Sequence, residues 1–360
     1  MPGQVTPRLH GSLVRLGAWV PFPQVRPLLA HFTQTHLSEP TVRRHAEQAG
    51  AAYVAAQTAA VERLEREAPP APAGPAVLQL SADGAMVPLV GGAWAEVKTL
   101  ALGQVQPPVL KDGEWVVETT DLSYFSRMAD HETFSRLALV EAHRRGVTTA
   151  GVVVAVNDGA VWEQALVDGH RRDAQRILDW GHATGYLGSV ARACFGAAAA
   201  EWEAAQRREL REGDPEVVLG KLRGLRDDLA RQAADPDHQA TVATVATSVQ
   251  YLEARREQIR YAAFRAAGYP IGSGSVESAN KLVVEARLKG AGMHWAPAHV
   301  NPMLALRNVV CNDRWEEAWP QIVTELRRQH RDRLAAKRHR RAARQGATAA
   351  PTAPVAEPAG

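Results

Sequence analysis

Thr149-Ala-Gly-Val-Val-Val-Ala-Val-Asn-Asp-Gly159 is the stretch on which the fold turns. From Thr149 to Val156 the run is uncharged, valine-rich and of strand length, typical of a strand covered on both faces, and Asn157-Asp158-Gly159 marks its end. A second strand reads upstream as Val77-Leu-Gln-Leu-Ser-Ala82, ending at Asp83-Gly84. Met86 to Leu89, a Gly91-Gly92 turn, and Ala95 to Val105 continue it as a β-meander. Two core strands thus each finish in Asp-Gly, and in open α/β sheets sites are built at strand ends and in the loops just beyond. Asp83 taken alone also reads as a plain turn residue before glycine.

A third acid stands much later. Tyr269-Pro-Ile-Gly-Ser-Gly-Ser-Val-Glu-Ser-Ala-Asn-Lys281 is a glycine- and serine-rich turn running into an amphipathic helix. It places Glu277 in the first turn, at the positive end of the helix dipole. The same residues also fit a helix capped by Ser273 or Ser275 with a Glu277–Lys281 ion pair.

Around these points the chain is mainly helical. Val25 to Phe32 and a helix starting at Ser38-Glu-Pro40 resemble a helix-turn-helix displaying Thr41, Arg43 and Arg44, and equally fit a helical hairpin. Helix continues from Ala51 to Glu67, and Ala68 to Pro75 is a linker by composition. A helix is predicted over Phe125 to Arg145 and another over Ala160 to Val167. Ala183 to Gly268 reads as almost wholly helical, broken at Asp214-Pro215 and Asp235-Pro236. A further helix ends near Val310, and the Ala/Pro/Thr-rich tail from Gln345 reads as disordered. The organisation expected is a helical region over 1–67, the linker at 68–75, an α/β core over 76–182 and 269–320, a helical insertion over 183–268, a basic helical segment over 321–344, and a tail over 345–360.

With 360 residues and 46% hydrophobic content the chain can bury a substantial core. Net charge is only +3, yet Arg327 to Arg344 holds nine Lys or Arg against one acid, Asp332: a local basic patch. Cys194 and Cys311 are the only cysteines, which excludes a disulfide framework and a cysteine-based zinc site and fits a reducing cytoplasm. Neither a membrane-spanning run nor a signal-peptide pattern is evident, so a cytoplasmic protein is expected.

If the two strands are neighbours, Asp83, Asp158 and Glu277 converge, an arrangement that divalent cations would neutralise. Oxygen ligands suit magnesium, with manganese as a substitute. Two such ions can activate water and stabilise the leaving oxygen of a phosphodiester, which points to a metal-dependent nuclease site.

Six stretches carry a family resemblance: Asp83-Gly-Ala-Met-Val-Pro88, Trp94-Ala-Glu-Val-Lys-Thr99, Asn157-Asp-Gly-Ala-Val-Trp162, Ile177-Leu-Asp-Trp-Gly-His182, Tyr269 to Glu277, and Arg287-Leu-Lys-Gly-Ala-Gly-Met-His-Trp295. In order along residues 12–320, they resemble a bacterial insertion-sequence transposase of the group related to Mutator-like DDE enzymes. The resemblance implies an RNase H-like core, a mixed sheet with flanking helices and a large helical insertion. It implies Asp83, Asp158 and Glu277 as catalytic, metal-holding acids, two magnesium ions, DNA as substrate and a homo-oligomer working on paired DNA ends. Asp179 and His182 match a short signature in which Cys or Asp precedes His by three residues, in a supporting role or as a structural histidine. Lys98, Arg287, Lys289, His294 and Trp295 are candidates for phosphate contacts and base stacking, with solvated charges or core aromatics as the other reading. Relatives in this group carry cysteine-containing sequence ahead of the region matching Gly11 to Phe22; this chain begins near that point without it, which bears on recognition of DNA ends. A structure-selective nuclease of the same core, and a non-catalytic DNA-binding relic, are the other functions compatible with these residues.

Overall fold

The structure is a computed structural model and describes residues 6–231 and 239–348. Its centre is a mixed five-stranded sheet of order β5-β2-β1-β6-β7. The strands are β1 (Val77–Pro88), β2 (Trp94–Val105), β5 (Thr119–Arg127), β6 (Val152–Asn157) and β7 (Gln175–Leu178), and β3 (Val109–Lys111) pairs with β4 (Glu114–Val116) as a separate ribbon. β2 runs antiparallel to both β1 and β5, whereas β1, β6 and β7 are mutually parallel. The valine run is therefore a central strand buried on both faces, as its composition demands.

One face of the sheet is covered by α1 (Pro7–Trp19), α2 (Phe22–Thr33), α3 (Glu39–Glu67), α11 (Gly274–Ala279) and α13 (Pro297–Cys311), joined to the start of α14 (Trp315–Thr348) in one hydrophobic core. The other face carries α4 (His131–Arg144) and α5 (Val161–His170). A third core extends from β6 and β7 into α6 (Trp180–Cys194), α7 (Ala199–Glu212), α8 (Pro215–Arg231), α9 (Gln239–Glu253) and α10 (Tyr261–Ala266), the expected helical stretch. Among the described residues no helix is long and apolar enough to cross a membrane.

Ser38 caps α3 through its hydroxyl, which accepts from the Thr41 backbone N–H. α3 is 29 residues long, about 44 Å, and Val42, His45, Ala46 and Ala49 are buried along it. A Cβ on its Gly50 would lie 2.2 Å from the Pro302 carbonyl oxygen, so α3 and α13 touch backbone to backbone there. The N-terminal helices thus share a core with the sheet, and Arg43 and Arg44 sit on the exposed side of α3. The proline-rich connection is likewise packed down: the Gly74 N–H donates to Thr149 Oγ1 at 2.9 Å and the Gly151 N–H to the Pro75 carbonyl at 3.1 Å.

Several elements differ from the sequence reading. β1 does not end at Asp83-Gly84; it pairs with β2 straight through, Asp83 opposite Thr99 and Gly84 opposite Lys98. The missing Gly84 side chain makes room for the Glu96 carboxylate, and the chain reverses instead at Gly91 and Gly92, both at positive φ. The segment Phe125 to Arg145 is not one helix. Its first three residues finish β5, and a new helix starts after Asp130, whose carboxylate accepts from the Thr133 N–H at 2.8 Å. Thr149 to Gly151 form a turn ahead of β6, and β7 was not anticipated as a strand. α14 runs through Thr348, beyond the expected start of the tail at Gln345; the Asp235-Pro236 break and residues 349–360 lie outside the described residues.

Candidate metal centre

β1 and β6 pair in parallel up to Leu80 opposite Ala155. Just beyond, the Ala82 N–H donates to the Asn157 side-chain oxygen at 2.7 Å, so a side chain replaces the backbone ladder and the strands part. Asp83 and Asp158 flank this opening. Gly159 follows at φ +87°, where a Cβ would fall 2.3 Å from Arg255 Nε, so the turn that presents Asp158 requires glycine. From the insertion, Tyr251 donates its hydroxyl proton to the Asp158 carbonyl, and Arg255 donates to the Gly159 carbonyl at 2.7 Å.

The third acid brought to this opening is Glu163. Donor oxygens of Asp83, Asp158 and Glu163 lie within 4.8 Å of one another, an all-carboxylate set that could hold a metal ion. Hard oxygen donors of this kind match magnesium or manganese. Glu163 sits in the first turn of α5, where its Oε2 accepts from the Gly159 and Ala160 N–H groups at 3.1 Å each, half of a capping box. It is 1% exposed. Burial above all, then its hydrogen bond to Asp158 and the charge there, push its carboxyl up to about 10 against the pull of the Ala160 N–H. Burial also raises Asp83, with the Asp158 charge adding to it, although the Gly84 N–H at 2.7 Å and Asn280 Nδ2 at 2.8 Å hold the ionised form. Like charges this close raise one another's pKa values, and a bound cation would relieve that repulsion.

Asn280, which holds Asp83, opens a stretch of π geometry over Asn280–Glu285, directly after α11 and ahead of α12 (Ala286–Leu288). Single turns of this kind concentrate at functional sites.

Glu277 lies outside the three-acid cluster. It is exposed on α11, its Oε1 accepting from Ser273 Oγ at 3.4 Å, and it forms no ion pair with Lys281 among the described residues. Together with Asp179, His182 and Tyr186 it lines an open cleft of about 430 Å³. Asp179 caps α6, accepting from the His182 N–H at 2.9 Å and from the Ser273 N–H at 2.7 Å, and so ties the α6 start to the Gly/Ser loop before α11. Burial opposes its ionisation, but the hydrogen bonds from the His182 side chain and these two backbone groups outweigh it and hold the carboxyl at about 2. His182 stands between Asp179 (Nδ1 to Oδ2, 3.4 Å) and Asp158 (Nε2 to Oδ2, 3.9 Å). The Asp179 hydrogen bond first, then the Asp158 charge, raise its pKa despite partial burial. The half-exposed imidazole thereby links the acid cluster to the cleft that Glu277 lines.

Of the anticipated DNA contacts, several are structural. Lys98 pairs with Glu96, lies 5.3 Å from the Trp162 ring and is buried. Its register opposite Gly84 turns it to the other face of the sheet from Asp83. Arg287, 1% exposed, donates to the Gly17 carbonyl and lies over the Phe22 and Trp295 rings. Trp295 is a core aromatic whose indole N–H donates to the Leu288 carbonyl at 3.1 Å. Lys289 pairs with Glu285 at 2.7 Å and Arg43 with Glu39 at 2.7 Å, while Arg44 and His294 are exposed. Arg43, Arg287, His294 and Trp295 do share one cavity of about 620 Å³.

No family model matches the chain, and no curated protein matches it.

Glu163 and Asn280 were not singled out from the sequence. Both stood in view: Glu163 occupies the third position of the helix that follows Asp158-Gly159, and Asn280 follows Glu277 by three residues.

Proposed function

We propose that this chain is a DDE-type transposase with an RNase H-like core, cutting DNA at element ends and joining the freed 3′-hydroxyl to target DNA. The observation that carries the reading is the approach of Asp83 and Asp158 from adjacent parallel strands into one carboxylate cluster. The strand order β5-β2-β1-β6-β7, with three antiparallel-connected strands leading into two parallel ones, supports the RNase H-like assignment. So do the helical insertion between Asp158 and Glu277 and the sequence resemblance.

In this reading Asp83 and Asp158 are the metal-holding pair. Bound magnesium would activate water or a 3′-hydroxyl and stabilise charge at the leaving oxygen. Asn280 fixes the Asp83 carboxylate, and Asp179 orients His182 beside Asp158, where a raised pKa favours the protonated ring facing a phosphate. The resemblance names Glu277 as third acid, whereas Glu163 completes the cluster described here. Comparing Glu163→Gln with Glu277→Gln separates the two.

The test is cleavage and strand transfer on duplex DNA carrying the flanking element ends, in magnesium and in calcium. The wild type is expected to cut and join, and Asp83→Asn to bind without doing either. Cutting without joining would identify a structure-selective nuclease, binding without cutting a DNA-binding relic, and full activity in Asp83→Asn would refute the metal assignment.

A further inference from the structure

A second site lies away from the acids, where the basic half of α14 passes over α1 and α3. A crevice of about 530 Å³ opens there, with His10 and His45 on its floor and Arg327, Arg331, Leu334 and Lys337 along its α14 wall. Among the described residues no acidic side chain lines it. Positions 327, 331, 334 and 337 recur every three or four residues, so they form one stripe of the helix and face the crevice together. The nearby acids are already taken: Glu325 and Asp332 both pair with Arg328. Arg327, Arg331 and Lys337 are left with no carboxylate partner among the described residues.

The floor is also unsatisfied. His10 is 4% exposed, and neither ring nitrogen has a hydrogen-bond partner among the described residues. Its ring is held edge-on between His45 at 4.8 Å and Trp319 at 5.3 Å. Burial, with His45 beside it, lowers its pKa to about 4, so at neutral pH one nitrogen carries a proton to donate. Buried polar groups normally find partners, and an orphan imidazole beneath unpaired cations offers a donor to an acceptor entering the crevice. The wall repels metal ions, and the complementary ligand is an anion.

We propose that this crevice is an anchoring site for the phosphate backbone of duplex DNA, with Arg327, Arg331 and Lys337 neutralising phosphates and His10 donating an N–H to one of them. The inference rests on the DNA-directed reading above and adds to it a surface remote from the acid cluster.

The experiment measures duplex binding by the full chain across a range of salt concentrations, without magnesium, together with the His10 ring resonances. Each phosphate contact contributes roughly 0.9 to the slope of log affinity against log salt. The triple variant R327Q/R331Q/K337Q is expected to flatten that slope by about 2 to 3, while R328Q, whose charge is already paired, leaves it unchanged. DNA is expected to move the His10 signals in the wild type and not in the triple variant. An unchanged slope in a triple variant that still binds and cuts DNA overturns this site and leaves the proposed function standing. Absence of duplex binding by the wild type overturns both. Movement of His10 with inorganic phosphate but not with DNA identifies a free-anion site and overturns the assignment to DNA.

Discussion

Glu163→Gln tests the electrostatics of the acid cluster. The substitution keeps an oxygen to accept from the Gly159 and Ala160 N–H groups, so the start of α5 retains its cap. What it removes is a titration. Glu163 is raised in the folded protein to about 10 from an ordinary value of 4.5. A carboxyl raised in the fold contributes stability in full below its unfolded value, and that stability is lost as pH rises towards the folded value. At neutral pH two and a half of those pH units have been traversed, and at about 1.4 kcal/mol each the loss is about 3 kcal/mol. Urea unfolding in a chelator at pH 5 and pH 8 reads it directly. The wild type is expected to lose stability relative to Glu163→Gln between the two, approaching about 4 kcal/mol, and added magnesium to reduce that loss. A stability difference that stays constant with pH would refute the reasoning, because it would mean that the helix N–H groups hold Glu163 ionised.

Asp179→Asn removes a carboxylate held at about 2 against an ordinary 3.8, worth about 2 kcal/mol at neutral pH. Because this pKa is depressed, the wild-type advantage persists above 3.8 and vanishes as pH falls towards 2, which acid titration of the unfolding midpoint will show. Gly50→Ala drives a methyl against the Pro302 carbonyl, and an overpacking loss of about 1 to 3 kcal/mol is expected as a lower urea midpoint at unchanged slope. Asn280→Ala frees Asp83 Oδ2 and is expected to weaken manganese binding by about tenfold with little change in the midpoint of thermal unfolding; undiminished affinity would dissociate Asn280 from the site.

How much of this was legible depended on whether the determining contacts are local. The valine run before Asn157-Asp158 announced its own burial, and Ser38 its own cap, because both signals are confined to a few consecutive residues. Asp83 was recognised as a site residue but placed at a strand end, since Asp-Gly ordinarily breaks a strand. Only the pairing with β2, which uses the space at Gly84 for Glu96, reveals that the strand continues. Arg287 and Trp295 look like a nucleic-acid contact in sequence and are a stack with Phe22, a residue 265 positions away from Arg287 in the chain. Composition cannot distinguish a cation awaiting phosphate from one buried over a ring. Glu163 was passed over because nothing local sets it apart: an acid in the first turn of a helix is ordinary, and its burial beside two further carboxylates is a property of the fold.

The most direct measurement is manganese binding followed by electron paramagnetic resonance, comparing the wild type with Asp83→Asn and Asp158→Asn. Saturable binding is expected in the wild type, weakened tenfold or more by either substitution, with circular dichroism unchanged. Equal binding by all three proteins would contradict this, and would reduce the acid cluster to a buried network that needs no metal.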